Sequence, residues 1–415
     1  MPGAAAEPNA ARSPTPPPAP PPQPPRPLPR LFAQIGYAVV SLIVIGGVLE
    51  LLAFAGWKIR AAIHPDPNDT NWQRSPGLSS QPWGPAFVAE ERDATPQMGS
   101  YVPYRIWGPL PRSSKFHNTE ATPLGWRRRT INTLGADCAG RTPEQIWMFG
   151  GSTTYGAGTP DWTTVPSWLS AILNGEKDRC VEIINFGVEG YISTQELLLL
   201  EEALKRGGRP AEVIFYDGFN DAYVGVVNPG DPFAHATLDR IKRGMENRAR
   251  NKLAFLDDSY AVKLTRVVID HFRRKHRGAA ESAPAAEPRV AETLANYEAN
   301  LATARLLAGA YHFQVHAFWQ PFLFYGEKRL HPFEAGLVRW RNESNGTDWG
   351  SRQARVYAAA EARAASTGAF VFLGHLFDGV TDALYIDGWM HLSPEGNRLV
   401  AAAIARTLTA EPAAR

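Results

Sequence analysis

The chain has 415 residues, with 43 lysines and arginines against 41 aspartates and glutamates, for a net charge of +2. That balance leaves no electrostatic footprint for nucleic acid, and no zinc-finger spacing or RNP-like segment argues otherwise. Its 35 prolines are unevenly spread, so composition alone already divides the chain.

Residues 1–30 are mostly Pro, Ala and Arg. Such a segment buries too little apolar surface to fold and reads as a disordered tail. Residues 31–57, LFAQIGYAVVSLIVIGGVLELLAFAGW, follow. The stretch from Leu31 to Leu49 is almost unbroken apolar sequence, long enough at about 1.5 Å per residue to cross a hydrocarbon core of roughly 30 Å. A transmembrane anchor is expected, with Glu50 near an interface. A cleaved signal peptide is the rival, because Ala53-Phe54-Ala55 has the small-x-small form, and a buried core helix is the third reading. Arg12, Arg26 and Arg30 before the span nearly balance Lys58, Arg60 and Arg74 after it, so flanking charge does not orient it.

Residues 58–141 are rich in Pro, Trp and polar side chains and read as a stalk with irregular strands. Within them, NTEATPLGWRRRTINTL (118–134) places a Pro-Leu-Gly turn between short β-prone runs, which predicts a small strand pair. From 142 to 415 the rhythm changes. Short apolar runs at 146–150, 181–187, 212–218, 313–319 and 369–373 alternate with helical stretches at 164–175, 193–207, 291–311, 351–366 and 393–408. Strands of this kind separated by helices predict a parallel five-stranded sheet, doubly wound in three layers. A basic insertion interrupts it at about 225–290. Its core at 239–277 reads as a solvated helical cap or as a contact for a membrane surface or anionic glycan, and GAAESAPAAEP at 278–288 reads as a mobile loop.

Ligands in such sheets bind beyond the carboxyl ends of the strands, so the strand ends are where chemistry is sought. After the first come Gly150, Gly151 and Ser152 in IWMFGGSTTYGAG. Without a Gly-Lys-Ser/Thr run this is no phosphate loop, although a serine capping a helix would look the same. After the second strand come Asn185, Gly187 and Gly190; after the third, Gly218, Asn220 and Asp221. Before the last helix, DGWMHLSPEGN carries Asp387 and His391. Each has a plain structural reading as a turn or cap residue. His312 and His316 sit four apart but on a strand-like run without carboxylate or cysteine partners, so no metal site is expected.

In this order, these blocks resemble the SGNH (GDSL-type) hydrolase superfamily over roughly residues 142–410, with a likeness to a membrane-anchored bacterial branch in the Pro/aromatic stretch before the first strand and in FWQP. The resemblance makes Ser152 the nucleophile, Gly190 and Asn220 oxyanion-hole donors together with the Ser152 N–H, and His391 the base. It also places a glycine at 151 where the family often has aspartate. A serine hydroxyl needs a base within hydrogen-bond reach, and a carboxylate fixes that base's tautomer. Asp387 is the candidate, but three residues separate it from His391 where the family usually has two, so Asp382 and Asp378 stay open as alternatives.

The function implied is a membrane-anchored serine esterase acting on an acyl or acetyl ester of an envelope glycan or lipid, with no cofactor. An O-acyltransferase to a sugar hydroxyl, or a catalytically silent glycan-binding or assembly protein, are the alternatives. Protein partners are not legible. Cys138 and Cys180 stand just before neighbouring strands and either form a disulfide or are unrelated thiols. A bridge over that loop would contribute about 4 kcal/mol and would place the domain outside the cytosol, in an oxidising compartment.

Overall fold

The computed structural model describes residues 30–63, 74–93, 99–135, 138–176, 179–228, 289–345 and 349–410, with short pieces between 231 and 269. The Pro-rich tail, most of the basic insertion and the loop at 278–288 lie outside the described residues. The chain forms two compact units, one containing the N-terminal helix and residues 255–271, the other the rest.

A long helix, α1, runs from Arg30 to Ile63, its part up to Ile59 in the first unit. Its Phe32–Arg60 part contains an 18-residue window of mean hydropathy 2.5 and is long enough to cross a membrane. Leu42, Ile43 and Leu51 on it are exposed, which a core helix would not allow. Ala53-Phe54-Ala55 lies within the continuous helix. The Glu50 carboxylate accepts hydrogen bonds from Ser259 Oγ at 2.7 Å, from Ala261 N at 3.1 Å and from Tyr260 N. It thereby satisfies free N–H groups at the start of the helical turn over 260–265.

The second unit opens with two short helices, α2 (Pro76–Ser79) and α3 (Gly84–Asp93). Two antiparallel pairs follow: β1 (Ser100–Val102) with β2 (Ile106–Gly108), and β3 (Thr119–Thr122) with β4 (Gly125–Arg128). The second pair closes over the expected Pro-Leu-Gly turn. Next come β5 (Glu144–Gly150), α4 (Ser152–Tyr155), α5 (Val165–Leu173), β6 (Val181–Asn185), α6 (Ser193–Lys205), β7 (Glu212–Asp217) and α7 (Phe219–Val227). The chain ends with α8 (Val290–Tyr311), β8 (Gln314–Trp319), α9 (Pro332–Asn345), α10 (Trp349–Thr367), β9 (Val371–Phe372) and α11 (Pro394–Thr409).

Strands β5 to β9 form one sheet in the order β6-β5-β7-β8-β9, every pairing parallel. Period-two alternation sends Trp147, Phe149, Val213, Phe215 and Trp319 to one face, under α6, α7, α8 and α10. It sends Ile146, Met148, Ile183, Ile214 and Phe318 to the other, under α5, α9 and α11. Both faces are covered, which is why the strands read as continuous apolar runs. Ser393 caps α11 by accepting from Gly396 N at 3.2 Å, with Pro394 at the first helical position.

The strand pattern differs from expectation only at its ends; β9 contracts to two residues. Helices α2 and α3 lie in the segment expected to hold only a stalk and irregular strands, and within the sheet domain α7 and α9 were not anticipated either. α7 is nine residues long and begins directly at the end of β7, so it offers no separate periodic stretch. α9 starts inside a Pro- and aromatic-rich run that masks its period. The Cα atoms of Cys138 and Cys180 lie 5.1 Å apart and the two form a disulfide, 42 residues apart in sequence.

Candidate active site

The strand order reverses at β5, which has β6 on one side and β7 on the other, and such a switch point is where a crevice opens at the strand ends. β5 delivers Ser152 there and β7 delivers Asn220. Thr153, Thr154 and Tyr155 are buried, which pins the short α4, while Ser152 itself remains partly exposed. Thr154 Oγ1 donates to the Tyr216 carbonyl at 3.0 Å, fastening α4 to the end of β7.

Ser152 Oγ lies 2.8 Å from His391 Nε2. His391 Nδ1 in turn is hydrogen-bonded to Asp387 Oδ2. The three-residue spacing is accommodated by a closed loop. Ile386 N donates to the His391 carbonyl at 3.0 Å, and Asp387 Oδ1 accepts from Trp389 N at 2.9 Å and His391 N at 3.4 Å. The carboxylate therefore folds back over its own loop and meets the ring. Of the alternative acids, Asp378 is engaged by His375 Nδ1 at 2.7 Å and by Glu327 N at 2.7 Å, while the Asp382 carbonyl accepts from Lys328. Neither is joined to His391.

Electrostatics follow from this arrangement. Burial works against the His391 imidazolium, but the Asp387 charge and hydrogen bond, helped by the Glu189 carboxylate, outweigh it and hold the pKa above 6.5. Burial likewise opposes the Asp387 carboxylate, yet His391 and the two backbone donors keep its pKa below 3.8.

Asn220 Nδ2 donates to the Tyr191 carbonyl at 2.7 Å, leaving its second amide hydrogen for another acceptor. A Cβ at Gly151 would come within 2.3 Å of that nitrogen, so a side chain there would displace the Asn220 amide from its position. Gly190, with φ of +75°, adopts a left-handed conformation that L side chains avoid. The loop around it is fixed by Trp107 Nε1, which donates to the Glu189 carbonyl at 2.8 Å, and by Arg105, which reaches the Tyr191 hydroxyl at 2.8 Å.

The loop from 384 to 391 also depends on residues that the sequence reading did not select. Buried Glu334, on the first turn of α9, accepts from Leu384 N at 2.9 Å and Tyr385 N at 3.1 Å through one oxygen. Its other oxygen accepts from Lys328 Nζ at 2.7 Å and His331 N at 2.9 Å. Arg341 donates to the Gly388 carbonyl at 3.0 Å and lies 3.8 Å over the Trp389 ring. The signal for Glu334 was present: Pro332 and Glu334 in HPFE occupy the first and third positions of a capped helix start. His316, the other half of the rejected histidine pair, sits 2.9 Å from Glu212.

Beneath the site, Ser193 Oγ donates to Asp221 Oδ1 at 2.6 Å and Tyr297 OH donates to Asp217 Oδ1 at 2.7 Å. Glu196 is buried beside them. Burial raises all three carboxyls, Asp217 to about 7 and Asp221 to about 6, and repulsion by neighbouring carboxylates adds to it at Glu196 and Asp217.

Neither a family model nor any curated protein matches this chain. Among solved structures, it is similar to a member of the lipolytic protein G-D-S-L family from Veillonella parvula, at 12% identity and a TM-score of 0.34 over 64% of this chain and 98% of that one. It is also similar to an acetylxylan esterase from Geobacillus stearothermophilus, at 14% identity and a TM-score of 0.32 over 68% and 98% of the respective chains.

Proposed function

We propose that this protein is a membrane-anchored serine hydrolase of the SGNH type that cleaves a carboxylic ester, an acyl or acetyl group on an envelope glycan or lipid, through an acyl-enzyme. The observation that carries the reading is the hydrogen-bonded line Ser152–His391–Asp387, with the Asn220 amide beside Gly151. Ser152 Oγ attacks the ester carbonyl carbon while His391 Nε2 takes its proton. Asp387 holds the ring with Nε2 facing the serine and stabilises the imidazolium. The tetrahedral oxyanion is received by the N–H groups of Ser152 and Gly190 and by Asn220, each such donor being worth on the order of 3 kcal/mol in the transition state. Collapse expels the alcohol, which takes the proton from His391. Water then repeats the cycle on the acyl-serine and releases the acid.

α1 would hold this unit at a membrane. The Cys138–Cys180 bridge supports an extracytoplasmic side, because disulfides persist in oxidising compartments. A fluorophosphonate probe tests the chemistry. The expected outcome is one adduct, on Ser152, absent from Ser152→Ala and His391→Ala, with both variants inactive on acyl esters and the double variant no worse than either. Ester turnover by Ser152→Ala would sink the mechanism.

A further inference from the structure

The hairpins β1–β2 and β3–β4 are built alike: each sinks one arginine into the second unit and leaves aromatic rings in water. Arg105, in the first turn, gives Nε and Nη2 to Glu202 Oε2 at 3.1 and 3.0 Å and Nη1 to the Tyr191 hydroxyl at 2.8 Å. Its carbonyl accepts from Gln195 Nε2 at 2.8 Å. Arg128, at the end of β4, gives Nε to Asp161 at 2.6 Å and Nη2 to the Thr159 carbonyl at 2.8 Å. Both arginines are buried, so each hairpin is bolted down and what it shows to solvent is held in place.

What it shows is apolar and aromatic. Tyr101 and Tyr104 are 78% and 87% exposed, and Trp126 on the second hairpin is 37% exposed. β2 packs against β4, and Val102 and Leu124 line one small cavity between the hairpins, so the rings stand on adjoining elements. Residues 100–104 and 121–126 contain no charged side chain. Tyr104 has a φ of +64°, a conformation that glycine would adopt freely and a bulky residue adopts at a cost; the ring is kept in water against its backbone preference. Behind the second turn, Arg129 and Arg127 share the carboxylate of Glu120, at 3.0 and 4.0 Å. That leaves an excess of one positive charge beside the rings.

Phenol and indole rings gather in the headgroup zone of a bilayer, where an apolar body and a polar edge are both satisfied. The spare positive charge suits anionic headgroups. A free protein partner would need a far wider contact than three rings to stay bound. A lipid surface would not, because a chain tethered by α1 meets it at high effective concentration and a weak contact suffices.

Resting on the membrane-anchored reading, we propose that the two hairpins form a second membrane contact, in which Tyr101, Tyr104 and Trp126 enter the headgroup zone of an anionic bilayer with Arg127 and Arg129 toward the lipid phosphates.

The test uses the full-length protein reconstituted in vesicles of phosphatidylcholine and phosphatidylglycerol. Because the two native cysteines are bridged, a maleimide fluorophore reaches only an introduced thiol. Pro103→Cys, between the two tyrosines, reports the hairpins, and Ile45→Cys reports α1. Lipids carrying a nitroxide near the headgroup should quench the label at 103, and adding Tyr101→Ser and Tyr104→Ser should cut that quenching at least about threefold. Quenching at 103 should also weaken in phosphatidylcholine alone; equal quenching there would overturn the anionic assignment. The label at 45 should be quenched by lipids carrying the nitroxide deep in the acyl chain. Quenching at 45 but not at 103 would overturn the hairpin contact and leave the anchor standing, whereas none at either would overturn both. Quenching at 103 that survives loss of the tyrosines would overturn the role given to the rings. A label at 103 shielded equally in vesicles and in detergent, and unquenched by lipid, would mean that a second copy of the chain covers this surface instead.

Discussion

In the proposed mechanism Ser152 is activated only while His391 is neutral, so the environment of that ring sets the working pH. Burial alone would lower the imidazole pKa; Asp387 reverses the sign and carries it above 6.5. The acid limb of kcat/KM should therefore fall above pH 6.5, with activity rising as pH increases through it. Asp387→Asn removes the charge and leaves burial to dominate. Its limb should move to lower pH while kcat drops on the order of 10³- to 10⁴-fold. A pH–rate profile of both proteins decides, and a limb that stays put in the variant would exclude Asp387 as the partner. Periodicity marked the strand and helix ends beside Ser152, Gly190, Asn220 and His391, and it was the family resemblance that gave these residues their proposed roles. It left the acid open, because the closed loop that turns Asp387 onto His391 is made by backbone hydrogen bonds that no spacing rule encodes.

At the scale of elements, α9 does for the catalytic loop what α4 does for the serine. Glu334 on its first turn spends all of its accepting capacity on Lys328 and on backbone N–H groups of residues 331, 384 and 385. Its side chain is fully buried and that of Lys328 is 5% exposed. Glu334→Gln would turn a donor toward donors and leave the ammonium buried without its counter-charge. Breaking a buried pair in this way costs about 3–5 kcal/mol, and the loop bearing Asp387 and His391 loses its anchor. Urea denaturation should show that loss of stability, accompanied by a fall in kcat larger than any change in KM. A variant as stable and active as the parent would mean that the loop is held by Arg341 alone. Nothing in the local sequence foretold this role. A carboxylate at a helix start is ordinarily a cap, and only the tertiary approach of residues 384 and 385 gives its second oxygen a task.

For the whole molecule, alternation of strands and helices was legible because each face of the sheet demands its own apolar set, Trp147 and Phe149 on one side against Ile146 and Met148 on the other. How residues 99–130 are fastened to that core was not, because scattered apolar contacts such as Trp107 and Leu124 are joined by long-range polar ones. One is the buried ion pair of Arg128 with Asp161, 2.6 Å between Nε and Oδ1. The acidic cluster under the site was equally hidden, since Glu196, Asp217 and Asp221 come from three different elements, α6, β7 and α7, which only the tertiary fold brings together. Its consequence is a pH dependence of stability. The groups acting on one another there are Glu196, Asp221, Tyr297 and Tyr357 around Asp217. Burial raises Asp217 to about 7, whereas an unfolded aspartate titrates at about 3.9. Between these values the folded state binds more protons than the unfolded one, so this group's contribution is complete below about pH 4 and is lost as pH rises toward 7. Lowered carboxylates such as Asp387 and Glu212 act in the opposite sense, gaining stability as pH rises, so the raw melting curve mixes both. Asp217→Asn isolates the term: the amide keeps an oxygen for the Tyr297 hydroxyl and cannot ionise. The melting temperature of the variant minus that of the parent should become steadily more positive from pH 4 to pH 7 and level off above. A difference constant across that range would show that Asp217 does not hold its proton in the folded protein.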